Sequence, residues 1–186
     1  MTREDILEAA AQVFRQKGFH GASMKDIADA VSLQKASLYH HVSSKQEILL
    51  EILERALQIL LERISYITNQ NIPADKKLRL MVREYLLILV ENIDLATVLL
   101  FEHRALERRQ HARHIPNRDT FESLWKDVIS EGVSKKLFKC DNPALATRAL
   151  LGQLNWTITW YRDDGNLTIE QIADQYSNQL LNVLLK

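Results

Sequence analysis

An all-α fold of about nine helices is predicted, and three observations carry that prediction. Helix-start signals follow one another along the chain, and the period-two alternation of half-buried strands is almost absent. With 5 Gly and 3 Pro in 186 residues, there is little material for the tight turns of a sheet protein.

Thr2-Arg-Glu-Asp5 is a capping-box pattern that opens the first helix, with Ile6, Ala10, Val13 and Phe14 on one face and Gly18 as its stop. Ser23 with Asp26 starts a short second helix from Met24 to about Val31. A tight turn leads to a third over roughly Gln34 to His41. Ser44-Lys-Gln-Glu47 is another capping box and opens a fourth helix to about Thr68, about 36 Å long. Pro73 suits the first turn of a fifth helix that runs to about Asn92. Its segment Tyr85 to Val90 is apolar all round, as a central buried helix would be. Asp94 to Leu106 reads as a sixth helix, and Arg108 to Gly132 as a seventh with a break expected near Pro116. Asp141-Asn-Pro143 starts the eighth with Pro at the first helical position, and Thr168-Ile-Glu-Gln171 caps the ninth.

Composition narrows the function classes. The single cysteine, Cys140, excludes a disulfide framework and a Cys-based zinc site. Glu4, Asp5 and Glu8 stand where a signal peptide needs an apolar run, and no uncharged apolar stretch approaches a membrane span. A soluble, cytoplasmic protein is expected. The 24 basic and 24 acidic side chains cancel, but not locally. Between Ala30 and Gln46 the only formal charges are Lys35 and Lys45, with His40 and His41 between them. From His103 to Arg118, Arg104, Arg108, Arg109, Arg113 and Arg118 face Glu107 alone. For anion binding, local sign matters more than the total.

Three short helices with a tight turn between the second and third form the helix-turn-helix pattern. Phe14, Lys17-Gly-Phe19, Asp26-Ile-Ala28, Lys35-Ala-Ser-Leu-Tyr-His-His41 and Ser44-Lys45 closely resemble, in order and spacing, the DNA-binding domain of the TetR family of repressors. Two positions depart from that pattern: Ser32 stands where the family usually has Gly, and Gln34 where it often has Ser. The resemblance implies a DNA-binding domain over residues 1–46 and an effector-binding and dimerisation domain over 47–186. Gln34, Lys35 and Ser37 begin the recognition helix and are expected at base edges. Tyr39, His40, Ser23 and Lys45 are expected at phosphates, with Lys45 at the positive end of the long helix. His41 is a weaker candidate, and Leu38 and Ile27 are core.

The C-terminal half has no motif of comparable specificity, so periodicity must serve. In the eighth helix Leu145, Ala149, Gly152, Trp156 and Trp160 follow one stripe, and Leu151, Leu154, Ile158 and Tyr161 a nearly opposite one. A helix apolar on opposite faces must be covered on both. Ile172, Ala173, Tyr176, Leu180 and Val183 repeat the spacing in the ninth. The family resemblance implies a homodimer interface on these last two helices.

Leu154-Asn-Trp-Thr-Ile-Thr-Trp-Tyr-Arg162, followed by Asp163-Asp-Gly165, is similar to a stretch in TetR-type regulators of fatty-acid, phenylacetate and sterol breakdown, which respond to acyl-CoA thioesters. Phe101-Glu-His103 and the arginine run also resemble that subgroup. The effector site implied has Trp125, Trp156 and Trp160 lining a helical interior, Asn155 adding a polar group, and Arg104 and Arg108 holding phosphates. The alternatives are a helical enzyme binding CoA thioesters, or the same repressor fold answering to a small hydrophobic or cationic compound. No Gly-rich phosphate loop, nucleophile elbow or carboxylate pair supports catalysis, and no cofactor is expected. Of His103, His111 and His114 only the last two share a helical face, so no metal site is expected. Cys140 beside Lys139 is read as an incidental loop cysteine.

Overall fold

The computed structural model describes residues 2–185, among which there are nine α-helices and no strand. They are α1 (Arg3–Gly21), α2 (Met24–Ala30), α3 (Lys35–Leu38), α4 (Lys45–Thr68), α5 (Ala74–Glu91), α6 (Ile93–Phe101), α7 (Arg108–Ser134), α8 (Pro143–Trp156) and α9 (Ile169–Leu184). Single 3₁₀ turns at His103–Ala105 and Thr157–Thr159 follow α6 and α8.

Side-chain caps set the starts. Thr2 accepts from the Asp5 amide at 3.2 Å while Asp5 accepts from the Thr2 amide at 2.6 Å. Thr168 and Gln171 close the same reciprocal pair at α9, at 3.3 and 2.9 Å. Asn142 caps α8 by accepting from the Leu145 amide at 3.0 Å. Each such cap contributes about 1 kcal/mol. At α4 only half the box closes: Ser44 accepts from the Glu47 amide at 3.1 Å, but the Glu47 carboxylate goes one residue further back, to the Ser43 amide at 2.7 Å.

Several boundaries differ from expectation. The α-helix of α3 stops at Leu38 and continues as turn to His41, and Gln34 at its start gives it no side-chain cap. The sixth helix ends at Phe101 and tightens into a 3₁₀ turn, and the eighth does so at Trp156. Pro116 does not break α7, which runs unbroken from Arg108 to Ser134. A proline removes one amide donor, and a long helix held on both sides of it tolerates that loss. In α1, Gly18 takes φ 71° and ψ 158°, so the helix is interrupted there and resumes for one turn.

The helices fall into two compact units. The first comprises the chain up to Gln58 together with Asn92–Arg118; the second comprises Ile59–Glu91 and the chain from Asp119 onward. In the first, Ile6, Ala10, Phe14, Ile27, Leu38, Ile48 and Ile52 are wholly buried, each large side chain contributing roughly 1.5–3 kcal/mol. There α1 packs on α2 and α6, with Arg15 paired to Asp94 at 2.9 Å and Glu102 accepting from the Phe19 amide at 3.2 Å.

In the second unit α5 packs against α8 and α9. Tyr85, Leu86, Ile88 and Leu89 are buried, as the apolar run in α5 predicts. The Tyr85 ring stacks on Phe121 with centroids 5.7 Å apart and meets Trp125 edge-on at 5.6 Å. Lys77, nearly buried, is paired with Glu131 at 3.0 Å. A Cβ on Gly132 would lie 2.0 Å from the Phe138 ring, so only glycine fits there. No helix among the described residues is long and apolar enough to cross a membrane.

Candidate nucleic-acid interface and effector site

The first unit builds a polar surface on an apolar anchor. Ser23 caps α2, accepting from the Asp26 amide at 3.1 Å and donating to its carboxylate at 2.6 Å. Lys17 also reaches Asp26, at 2.5 Å, and these bonds hold that carboxyl well below the usual carboxylate range. The turn between α2 and α3 closes through the Leu33 amide on the Ala28 carbonyl at 2.9 Å. Within it Ser32 takes φ 54°, the left-handed region that glycine occupies at no steric cost. Leu38 is wholly buried and pins α3, while Gln34, Lys35, Tyr39 and His40 are exposed and Ser37 is half-buried. Four residues on and beside α3 therefore present donors outward, with a capped helix start at Ser23.

Lys45 begins α4 as expected, and its side chain is also engaged within the protein. Its ammonium donates to the Phe19 and Ala22 carbonyls at 2.7 and 2.6 Å and lies 4.4 Å from the centre of the Phe19 ring. The carbonyls left over at the end of α1 attract a cation. Of the three N–H donors on a lysine, one remains for a phosphate. Arg3 ties the same region together, donating to the His41 carbonyl and pairing with Glu47 and Glu51.

Arg104 lies on the 3₁₀ turn after α6 and Arg108 starts α7; both are exposed, and neither forms an ion pair among the described residues. The turn is held by Gln46, whose amide donates to the Ala105 carbonyl at 2.8 Å and accepts from the Glu107 amide at 3.1 Å. Nothing in the sequence marks Gln46 for that role, since its partners are backbone atoms about sixty positions away. His114 is buried with Nδ1 unpaired. Burial, reinforced by the charges of His103, Arg118 and His111, pushes it down to about 4. Among the described residues no three His, Cys, Asp or Glu groups are placed to hold a metal ion.

The second unit separates the expected tryptophans. Trp125 is wholly buried, whereas Trp156 and Trp160 are 65% and 46% exposed, so these two do not line the interior of their own chain. The reason is helical phase. Leu150, Leu154 and Thr157 turn inward, while Leu145, Ala149, Gly152 and Trp156 form an exposed stripe on the other side of α8. Asn155 does face Trp125's neighbourhood: its Oδ1 accepts from the Tyr85 hydroxyl at 2.5 Å. Tyr85 and Phe121 complete this group; sequence reasoning marked Tyr85 only as part of an apolar helix run and did not single out Phe121. In the same unit, Trp125 Nε1 and Thr157 Oγ1 are buried without a hydrogen-bond partner.

A helix-turn-helix with exposed donors, joined to a larger helical region with polar groups inside it, defines a DNA-binding regulator with a separate sensing region, not an enzyme. Residues 6–52 match the family description "Bacterial regulatory proteins, tetR family", and residues 71–184 match "Tetracyclin repressor-like, C-terminal domain". The chain belongs to the TetR family of bacterial transcriptional regulators. It is 28% identical over 189 residues to the HTH-type transcriptional repressor KstR2 of Mycobacterium tuberculosis, covering 99% of this chain and 93% of that protein. The crystal structure of the TetR-family regulator PfmR from Thermus thermophilus superposes with TM-score 0.87 at 34% identity, covering 95% of this chain and 97% of that one. The crystal structure of AibR in complex with isovaleryl coenzyme A and operator DNA superposes with TM-score 0.90 at 27% identity, covering 96% and 97%.

Proposed function

We propose that this protein represses transcription as a cytoplasmic homodimer on a roughly palindromic operator, and that an acyl-CoA releases it. The observation that carries the reading is likeness over nearly the whole chain to a regulator captured with both isovaleryl coenzyme A and operator DNA. The likeness to a protein named as a repressor supports the sign of regulation.

Residues 1–46 are assigned to DNA and 47–186 to effector and partner subunit. Gln34, Lys35 and Ser37 read base edges; Ser23, Tyr39, His40 and the remaining N–H of Lys45 position the protein on phosphates. The exposed stripe Leu145–Ala149–Gly152–Trp156 on α8 supports a subunit contact, since an apolar row of this kind on a free surface is what a dimer buries. A two-fold dimer presents two recognition helices to half-sites about one helical turn or more apart. Trp125 and Asn155, with Tyr85 between them, serve the acyl portion of the effector, and Trp156 and Trp160 belong with the outer surface. Arg104 and Arg108, in the first unit, are exposed without an ion pair among the described residues and are candidates for an anionic group by themselves. Release requires that the ligand bind one state of the dimer more tightly than the other.

Titrating an acyl-CoA panel against the operator-bound dimer tests this directly. Displacement by a medium-chain, long-chain or aromatic acyl-CoA, with the free acids acting poorly, is expected. No displacement at saturating ligand across the panel would overturn the effector assignment.

A further inference from the structure

We infer that two copies of this chain interlock through a bump and a hole on α8, the exposed Trp156 of each copy seating over Gly152 of the other. This rests on the homodimer reading above and adds the contact that fixes its register. Gly152 lies in the interior of α8, where glycine is a poor helix former. A Cβ placed there would meet nothing within 4 Å, so no described residue requires a glycine at that position. Gly132 is the opposite case, since the Phe138 ring already fills the space beside it.

Trp156 stands four positions further on, which on a helix is the same face one turn away. It is the bulkiest side chain of the exposed row that holds Leu145, Ala149 and Gly152. The ring does not fold back over Gly152, because no side-chain atom comes within 4 Å of a Cβ built there. One face therefore carries a large apolar ring in solvent and, one turn away, an open space. That pair is self-complementary. A two-fold axis crossing α8 between the two positions sets each ring over the other copy's glycine, and in such an interface residue i meets j while j meets i.

The charge of this face selects the partner. Between Leu145 and Trp156 the only charged residue is Arg148, which is paired with Glu122 at 3.0 Å. Gln153 donates to Gln179 at 3.5 Å and joins the row to α9, where Gln175, Gln179, Asn182 and Val183 are exposed and uncharged. In a chain that is 26% charged, a face of this composition suits the centre of a protein contact, from which charge is depleted. A polyanion would find no cation here to pair with. A second copy brings the one ring whose spacing matches the open position.

Moving the bulk from one position to the other provides the test. Sedimentation equilibrium gives the dimer dissociation constant of the full-length wild type, Gly152→Leu, Trp156→Ala and the double variant Gly152→Leu/Trp156→Ala, with circular dichroism as the check on folding. Leucine is the better helix former, so on a free surface Gly152→Leu would keep or raise stability. It should instead weaken the dimer about a hundredfold, and Trp156→Ala about tenfold. The double variant should recover to within about tenfold of wild type, because the removed ring makes room for the added side chain. Wild-type dimerisation by Gly152→Leu overturns the inference and leaves the homodimer standing. If Gly152→Leu fails to fold, the double variant decides: its failure to recover a folded dimer also overturns the inference. A wild-type protein that stays monomeric at tens of micromolar would remove the homodimer reading together with the contact.

Discussion

The two units handle polar groups in opposite ways. In the first, the donors proposed for DNA are outside: Gln34, Lys35, Tyr39 and His40 stand in solvent on and beside an element of one helical turn, which the buried Leu38 holds. In the second, polar atoms lie inside: Trp125 Nε1, against Tyr85 and Phe121, and Thr157 Oγ1 are buried without a hydrogen-bond partner. An outer array suits a large polyanion that meets the protein as a surface, at low cost to stability while unbound. Buried donors without a partner cost stability, whereas exposed ones are satisfied by water. On the proposed reading, the difference teaches that burial can separate a surface for DNA from an interior for a small molecule.

The strongest way to break the buried side is Gly132→Ala. The new methyl would overlap the Phe138 ring, and a loss of about 3 kcal/mol in urea unfolding is expected, at the upper end for an overpacked core. On the exposed side, Lys35→Ala with Tyr39→Phe should reduce operator affinity about a hundredfold, roughly 3 kcal/mol, and leave the melting temperature within a degree or two. Electrophoretic mobility shifts and a thermal melt check the two halves of that statement. Lys45→Ala should differ from both by lowering stability as well as DNA affinity, because its ammonium closes the end of α1.

A smaller effect sharpens the contrast within the first unit, where His114 is a buried group among surface ones. Its folded pKa of about 4 lies below the ordinary histidine value, so the unfolded chain binds the proton more readily. Stability should therefore be constant above pH 7 and fall on acidification, by about 2 kcal/mol between pH 7 and 5. Unfolding midpoints across that window should show the slope, and His114→Leu should remove most of it. The smallest effect is a gain. Ser32→Gly relieves a left-handed serine and should stabilise by about 0.5–1 kcal/mol, read as a higher urea midpoint with operator specificity unchanged.

What could be read in the residues follows the range of the interaction. Caps act over three positions, so Thr2 with Asp5, Ser23 with Asp26, Asn142-Pro143 and Thr168 with Gln171 all stand where their spacing puts them. The helix-turn-helix was legible for the same reason: its parts are consecutive and its contacts local. Ser32 shows the limit of that legibility as a departure, since its positive φ explains why glycine is usual there. Two long-range bonds redirected Lys45 and Gln46 to carbonyls that no local pattern reveals. The stripe containing Trp156 was legible as a stripe, but burial placed it outward and Trp125 inward, and aromatic identity alone cannot make that choice. Pro116 misled because a proline within a long helix removes one amide donor without having to end the helix.

The central claim, that outer donors serve DNA and inner donors serve the effector, is tested most directly by crossing the two sets of variants in one measurement. Acyl-CoA affinity is determined by calorimetry for the DNA-free Lys35→Ala/Tyr39→Phe dimer, beside operator affinity for the ligand-free Trp125→Phe dimer. Acyl-CoA affinity within about twofold of wild type in the first, and operator affinity within about twofold in the second, are the predicted results. A tenfold loss of acyl-CoA affinity on changing Lys35 and Tyr39, in a protein that still melts normally, would contradict the account.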